Sequence, residues 1–283
     1  MLETINTWGD YKARVREFDA VLEHGKALLA ALSGQAPESV HAAYGVQIFA
    51  KLLAHGSALR GLAPESSGGA LPGLADLPSM CALARCVVEA HDAFEYIAGH
   101  DVAAVERNFR MLLWELHDET RRLKMFDAED AAEPHVAALR GDARKRQAEL
   151  EKHEFLASLP AGLQAALRQR LAESDPPAFH LGQRQRCGLS GVNADWHNAV
   201  ALQLSQYAYT LPTALLLPAI ANGSPEALRL TALPLVLTLP LLVRVTQAVA
   251  AFAPGRAPEP PSRTARTMAV WRSHAERGTR EAR

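Results

Sequence analysis

Residues 79–127 have the sequence SMCALARCVVEAHDAFEYIAGHDVAAVERNFRMLLWELHDETRRLKMFD, and this stretch decides the fold of the chain. Apolar residues recur in it at steps of three, four and seven, which is the spacing of one helix face. Gly99 is placed to end a first helix, and Asp101 is a suitable N-cap for a second. The stretch therefore predicts helices over about residues 79–98 and 102–126, joined by a short link that makes them antiparallel neighbours.

Polar side chains interrupt this apolar pattern at a few positions. Arg85 and Glu89 are four residues apart and so adjacent on the first helix. Arg110 and His117 are seven apart, nearly two turns, and project in the same direction. We expect the four to meet in one polar cluster, which would suit phosphate binding or acid–base catalysis. Arg–Glu pairs at helical spacing are also ordinary salt bridges, so a structural interpretation stays open, and His91 is interpreted as a core histidine.

The composition favours a helical protein. Of 283 residues, 48% are hydrophobic and 22% charged, as in globular domains, while aromatic residues make up only 6%. Alanine and leucine dominate, which favours helices and argues against an all-β fold. The formal net charge is −1, so no global basic field draws the chain to nucleic acid or to a membrane surface.

The C-terminal third is strongly apolar over Leu211–Phe252. Its most apolar part, Leu230–Val243, is shorter than a membrane span, is interrupted by Pro234 and Pro240, and is followed by Arg244. We therefore expect a buried, kinked helix rather than a membrane span.

These observations predict an all-α, multi-helix bundle with a buried apolar C-terminal helix and a flexible tail. We expect one helical domain over residues 1–253. Residues 254–283 are rich in proline and then in arginine, which is typical of a linker and a mobile end. Met268 and Trp271 would anchor a short helix within that tail.

No motif for a metal ion or a cofactor is found, so neither is predicted. The cysteines Cys81, Cys86 and Cys187 show no CxxC and no metal-binding spacing. An odd number of cysteines without a disulfide framework indicates a reducing compartment. The first residues lack the apolar core of a signal peptide, and we expect a cytoplasmic protein.

A third polar segment, LSQYAYTLP at residues 204–212, carries three closely spaced hydroxyl groups. Ser205, Tyr207 and Tyr209 are therefore candidates for a binding site. The alternative is that the tyrosine rings are buried and only their hydroxyl groups are hydrogen-bonded.

Three segments resemble a family of uncharacterised bacterial helical proteins that contain a domain of unknown function: DLPSMCALARCVVEAHDAFEYIAG (76–99), ERNFRMLLWELHDETRRLKMF (106–126) and LSQYAYTLP (204–212). The resemblance covers about residues 45–250. Its recurrent features match Arg85 with Glu89, Arg110 with His117, and the third segment. Relatives tend to carry a histidine where this chain has Tyr209. The resemblance implies a helical fold more than an activity.

A further resemblance is to the HEPN ribonucleases, in which four to six intervening residues separate an arginine from the histidine that follows it. Arg85 with His91 and Arg110 with His117 satisfy this spacing, although Cys86 and Met111 stand where the family has a polar residue. It implies a metal-independent ribonuclease in which histidine handles the 2′-hydroxyl proton and arginine stabilises the phosphate.

The leading expectation is instead a cytoplasmic helical protein that binds other molecules or is a component of a stress or defence response. Its partner would be another protein or a second copy of the chain, and a nucleic-acid partner belongs only to the ribonuclease alternative.

Overall fold

The computed structural model describes residues 2–34, 36, 38–65, 74–127, 130, 133–221, 223–252 and 254–278. These residues contain twelve α-helices and no strand, which confirms the all-α fold class. The helices in chain order are α1 (Trp8–Leu32), α2 (Val40–Leu62), α3 (Leu77–Phe94), α4 (Ala104–Leu123), α5 (Pro134–Glu151), α6 (Glu154–Ser158), α7 (Ala161–Ala172), α8 (Gln183–Ser190), α9 (Ala194–Ala208), α10 (Pro212–Leu215), α11 (Pro225–Ala250) and α12 (Ser262–Arg277).

The chain divides into two compact units. The first consists of residues 1–99 and 186–283, and the second of residues 100–185. Each unit is a compact part of the chain, and the single domain expected over residues 1–253 stays a prediction.

Helix α11 is the central helix of the first unit and packs against α1, α2, α3 and α12. Among the described residues it is the one helix with the length and composition to span a membrane, and 83% of its most apolar window is buried inside the protein. The helix continues through Pro234 and Pro240. The predicted buried apolar helix is thereby confirmed.

Helix α1 shows how the sequence fixes the helix ends. The Thr7 hydroxyl accepts a hydrogen bond from the Asp10 amide at 3.2 Å, and the Asp10 carboxylate accepts one from the Thr7 amide at 2.9 Å. This reciprocal pair satisfies two amides that have no partner inside the helix. At the other end Gly34 takes a φ of +78°, which costs a glycine little and stops the helix.

The second unit is built on the apolar face of α4, which packs against α5 and α6. Ion pairs hold α4 to α5 at the edge of this core, where Arg146 contacts Glu115 at 2.7 Å and Glu119 at 2.9 Å. The buried core residues are Phe109, Leu112, Leu113, Leu116, Ala143, Leu150, Leu156, Leu167 and Leu171.

Part of the expected flexible tail is an ordered helix. Helix α12 lies within residues 254–283 and packs against α1 and α11, while residues 279–283 lie outside the described part. Met268 and Trp271 are 3% and 2% exposed, and the Trp271 indole donates to the Glu17 carboxylate at 3.0 Å. Their i, i+3 spacing places both on one apolar stripe of an otherwise arginine-rich helix, which explains why this segment docks.

We expect Trp271→Ala to lower the free energy of unfolding by about 3–5 kcal/mol, because it removes a buried aromatic side chain and leaves a cavity. Chemical denaturation followed by circular dichroism measures the loss. Val270→Ala changes an exposed neighbour on the same helix and should stay within about 0.5 kcal/mol of wild type. Equal effects of the two substitutions would show that α12 does not dock in solution.

Candidate functional site

Arg85 and Glu89 form a hydrogen-bonded ion pair on α3 in the first unit. The carboxylate side chain of Glu89 is 60% exposed, and the Arg85 side chain is 26% exposed. This geometry is that of a surface salt bridge between residues four apart on a helix.

Arg110 and His117 lie in the second unit and use different partners. The Arg110 side chain is fully buried, where it donates to Glu106 at 3.0 and 2.5 Å and contacts His100 Nδ1 at 2.8 Å. The Nδ1 atom of His117 lies 2.8 Å from the backbone carbonyl oxygen of Pro176. Because Arg85 belongs to the other unit, the joint cluster expected from the sequence stays a prediction.

The three candidate hydroxyl residues near the end of α9 differ in their surroundings. Ser205 donates to the Ala201 carbonyl of its own helix at 2.8 Å. Burial raises the pKa of the half-buried Tyr207, and Tyr209, which caps the helix, is 63% exposed. Residues two apart on a helix point about 200° away from each other, so this spacing does not direct the three hydroxyl groups to one point.

A buried cluster that the sequence analysis did not predict lies between α3 and α9 in the first unit. It consists of His91 and Asp92 near the end of α3 and His197 in the first turns of α9, and we call these three residues the His–Asp–His cluster. Each side chain offers one donor atom, and the three atoms lie within 4.8 Å of one another. His91 is 2% exposed and His197 is 3% exposed.

The Asp92 carboxylate is the centre of this cluster. Its Oδ1 atom lies 2.7 Å from Nε2 of His197 and 3.1 Å from Nδ1 of His91, while its Oδ2 atom lies 3.4 Å from the Arg186 guanidinium on α8. Burial by itself would raise the pKa of this carboxyl, but the hydrogen bonds from His197 and His91 hold the pKa of Asp92 well below its ordinary value. Asp92 therefore carries a negative charge inside the protein.

A second carboxylate lies at the edge of the cluster. Glu95 is 8% exposed, and its Oε1 atom is 3.7 Å from Nε2 of His91. Glu95 opens the segment Glu95–Gly99, which continues α3 as a turn of π-helix. Such turns are rare and are found at functional sites more often than ordinary helix.

The donor set fits a metal ion. Nitrogen and oxygen ligands about 2.0–2.2 Å from a common zinc ion lie roughly 3–3.5 Å apart. In the cluster the Asp92 oxygen is 2.7 Å from His197 and 3.1 Å from His91, and the three donor atoms all lie within 4.8 Å of one another. Two imidazoles and one carboxylate on one side of an ion are the ligands of many catalytic iron and zinc sites. Asp92 also supplies negative charge toward a cation.

The cluster cannot be recognised along the sequence because its members are far apart in the chain. The apolar pattern indicates a core histidine at position 91, and His91 is indeed buried. Asp92 and His197 are separated by 105 residues, and no spacing rule joins them. The one local signal is the adjacent His91–Asp92 pair. These two polar residues lie in the same helical turn as residues of the apolar face of α3.

Comparison with known proteins found no match to this chain. No protein-family model matches it, and neither a curated protein nor a solved structure matches it. The resemblances noted in the sequence therefore stay predictions.

Removing the carboxylate from the Glu106–Arg110 pair should lower the free energy of unfolding more than removing it from the Glu89–Arg85 pair. Glu106→Ala leaves the fully buried Arg110 without its closest anion and should lower the free energy of unfolding by about 3–5 kcal/mol. Glu89→Ala removes an exposed partner of Arg85 and should cost roughly 1 kcal/mol or less. Urea denaturation of both variants measures the difference, and a cost as large for Glu89 as for Glu106 would contradict it.

His180 is a buried titratable group beside Arg110 in the second unit. It is 5% exposed, its ring lies edge-on against Phe109 and Phe155, and its Nε2 atom is 3.9 Å from Glu106. Burial, and then the positive charge of Arg110, lower the pKa of His180 to about 4. The folded protein therefore holds this imidazole neutral at pH values where the unfolded chain binds a proton.

This pKa shift predicts acid sensitivity. The contribution of the neutral His180 to the free energy of unfolding is fully present above pH 6.5. It falls as the pH is lowered from 6.5 to 4, and its complete loss below that range lowers the free energy of unfolding by roughly 3 kcal/mol. Unfolding free energies of wild type and His180→Phe, measured from pH 7.5 to 4, should show wild type losing stability relative to the variant. His135→Phe, at an exposed position, controls for the loss of a histidine. A difference that does not change with pH would contradict the assignment.

Proposed function

We propose that this protein is a metalloprotein that holds one divalent transition-metal ion at His91, Asp92 and His197. The observation that carries the proposal is the convergence of these donor atoms, within 4.8 Å of one another, at a buried position between two helices. The Asp92 carboxylate, whose side chain is 13% exposed, is negatively charged beside the two imidazoles, and this charge favours a cation at the same position.

The ligand chemistry narrows the choice of ion. Imidazole nitrogen with carboxylate oxygen suits zinc, iron, nickel and copper, whereas magnesium and calcium prefer sites made of oxygen alone. Three protein ligands leave at least one coordination position for water or a substrate, as in catalytic rather than structural zinc sites. Because both histidines are almost fully buried, we expect the substrate at that position to be small.

We expect the purified chain to retain close to one equivalent of metal after loading with Zn²⁺, Co²⁺ or Fe²⁺, as measured by elemental analysis. Asp92→Asn and His197→Gln each remove a ligand and should abolish stoichiometric binding. The thermal unfolding midpoint of wild type should rise with metal concentration, since an ion that binds only the folded state stabilises it.

His24→Gln is the matched control, because His24 is a buried histidine of the same unit outside the cluster. It should bind metal as wild type does. A folded wild-type protein that retains none of these ions after dialysis would overturn the proposal. The same preparations are incubated with RNA in EDTA, and cleavage that is lost in His117→Ala would favour the ribonuclease alternative instead.

A further inference from the structure

The buried carboxylate of Glu95 faces Nε2 of His91, while the other ring nitrogen, Nδ1, faces Asp92. Nε2 of His91 makes no hydrogen bond within the part of the chain that the structure describes, and it lies 3.7 Å from Oε1 of Glu95. Both side chains come from one helix and are four residues apart, so they lie on the same face. The distance exceeds an ordinary N–H···O hydrogen bond of about 2.9 Å by roughly 0.8 Å, which a small rotation of either side chain can close.

We infer that Glu95 is a positioning residue for the metal ion: its carboxylate accepts a hydrogen bond from Nε2–H of His91 and so directs Nδ1 toward the ion. This inference rests on the proposed function. Nδ1 is the ring nitrogen that faces Asp92, at 3.1 Å. Before a metal binds, Nδ1 carries the proton that His91 donates to Asp92. When Nδ1 gives its lone pair to a metal, the neutral imidazole takes its other tautomer, so the one ring proton lies on Nε2 and needs an acceptor. A carboxylate acceptor also makes the imidazole a stronger ligand.

The backbone beyond Glu95 makes room for this carboxylate. A Cβ atom at Gly99 would lie 2.6 Å from Oε2 of Glu95, a distance that real Cβ contacts do not reach. Gly99 is the last residue of the π-helical turn that Glu95 opens. Any other residue at position 99 therefore displaces the Glu95 carboxylate, and this gives a way to move the group without removing it.

Zinc affinity of the full chain is measured by competition with a chromogenic chelator, for wild type, Glu95→Gln, Glu95→Ala and Gly99→Ala. Loss of such an outer carboxylate typically weakens metal binding 10–100-fold, and we expect each of the three variants to fall in that range with the stoichiometry kept near one. Glu89→Gln changes an exposed carboxylate on the same helix and should bind zinc as wild type does.

A spectroscopic measurement separates positioning from a general loss of stability. In zinc-loaded wild type, long-range proton–nitrogen NMR should show His91 ligated through Nδ1, with a slowly exchanging, downfield Nε2–H. That proton should exchange rapidly in Glu95→Ala even where the unfolding midpoint matches that of wild type. If both Glu95 variants fail to fold, Gly99→Ala, which keeps the carboxylate, decides the question through the same two measurements.

The outcomes distinguish the two proposals. Wild type that binds no zinc overturns the proposed function. Wild type that binds zinc, with Glu95→Gln, Glu95→Ala and Gly99→Ala within threefold of its affinity and with an unchanged His91 proton, overturns the positioning by Glu95 and leaves the metal site standing. Weaker zinc binding together with loss of the protected proton supports both.

Discussion

The negative charge of Asp92 inside the first unit is the constraint on which the arrangement of α3, α8 and α9 depends. A carboxylate taken out of water is destabilised by several kcal/mol unless other groups satisfy its oxygens. Here two imidazoles bind one oxygen and a guanidinium lies near the other. Each of these partners fixes part of the surrounding structure, because His197 must come from α9 and Arg186 from α8. The cluster therefore ties these helices together, and it is also the proposed set of metal ligands.

The same requirement governs the buried arginines. Arg110 in the second unit and Arg244 in the first are 0% and 9% exposed. Arg110 donates to Glu106 and contacts His100. Arg244 donates through both terminal guanidinium nitrogens, while its Nε atom has no hydrogen-bond partner among the described residues. Arg244 contacts Glu276 of α12 at 3.1 Å and the Ser190 carbonyl, which helps to explain why the C-terminal helix is docked. Buried charges thus specify which elements meet, while the leucine- and valine-rich faces supply most of the favourable free energy of burial.

The arrangement of these side chains would favour metal binding because the ligands are already close together. Two histidines and a carboxylate that are already close together lose little side-chain entropy when they bind an ion. Burial removes competing water and strengthens the electrostatic attraction between the carboxylate and the cation. Glu95 then completes the arrangement from outside the ligand set, at a turn where the helix departs from α geometry and Gly99 leaves space. A site with these properties suits chemistry on a small molecule better than the recognition of a polymer.

The amino-acid sequence by itself determined the helices. The apolar spacing around Phe94 and Phe109 is a local signal. The helices expected over about residues 79–98 and 102–126 are found at Leu77–Phe94, continued by the turn Glu95–Gly99, and at Ala104–Leu123. The sequence also determined that the apolar segment at Pro225–Ala250 is buried. These properties follow from interactions between residues three to seven positions apart, which a pattern along the chain contains.

Only the tertiary structure decided which polar residues meet. Asp92 and His197 are 105 residues apart, and Trp271 and Glu17 are 254 apart, so no periodicity links them. Arg85 and Arg110 have similar local patterns, yet one is at the surface and the other is fully buried, because burial depends on what packs against each helix. The chemistry of a site depends on distances between side chains from different helices, and those distances exist only after the helices have packed.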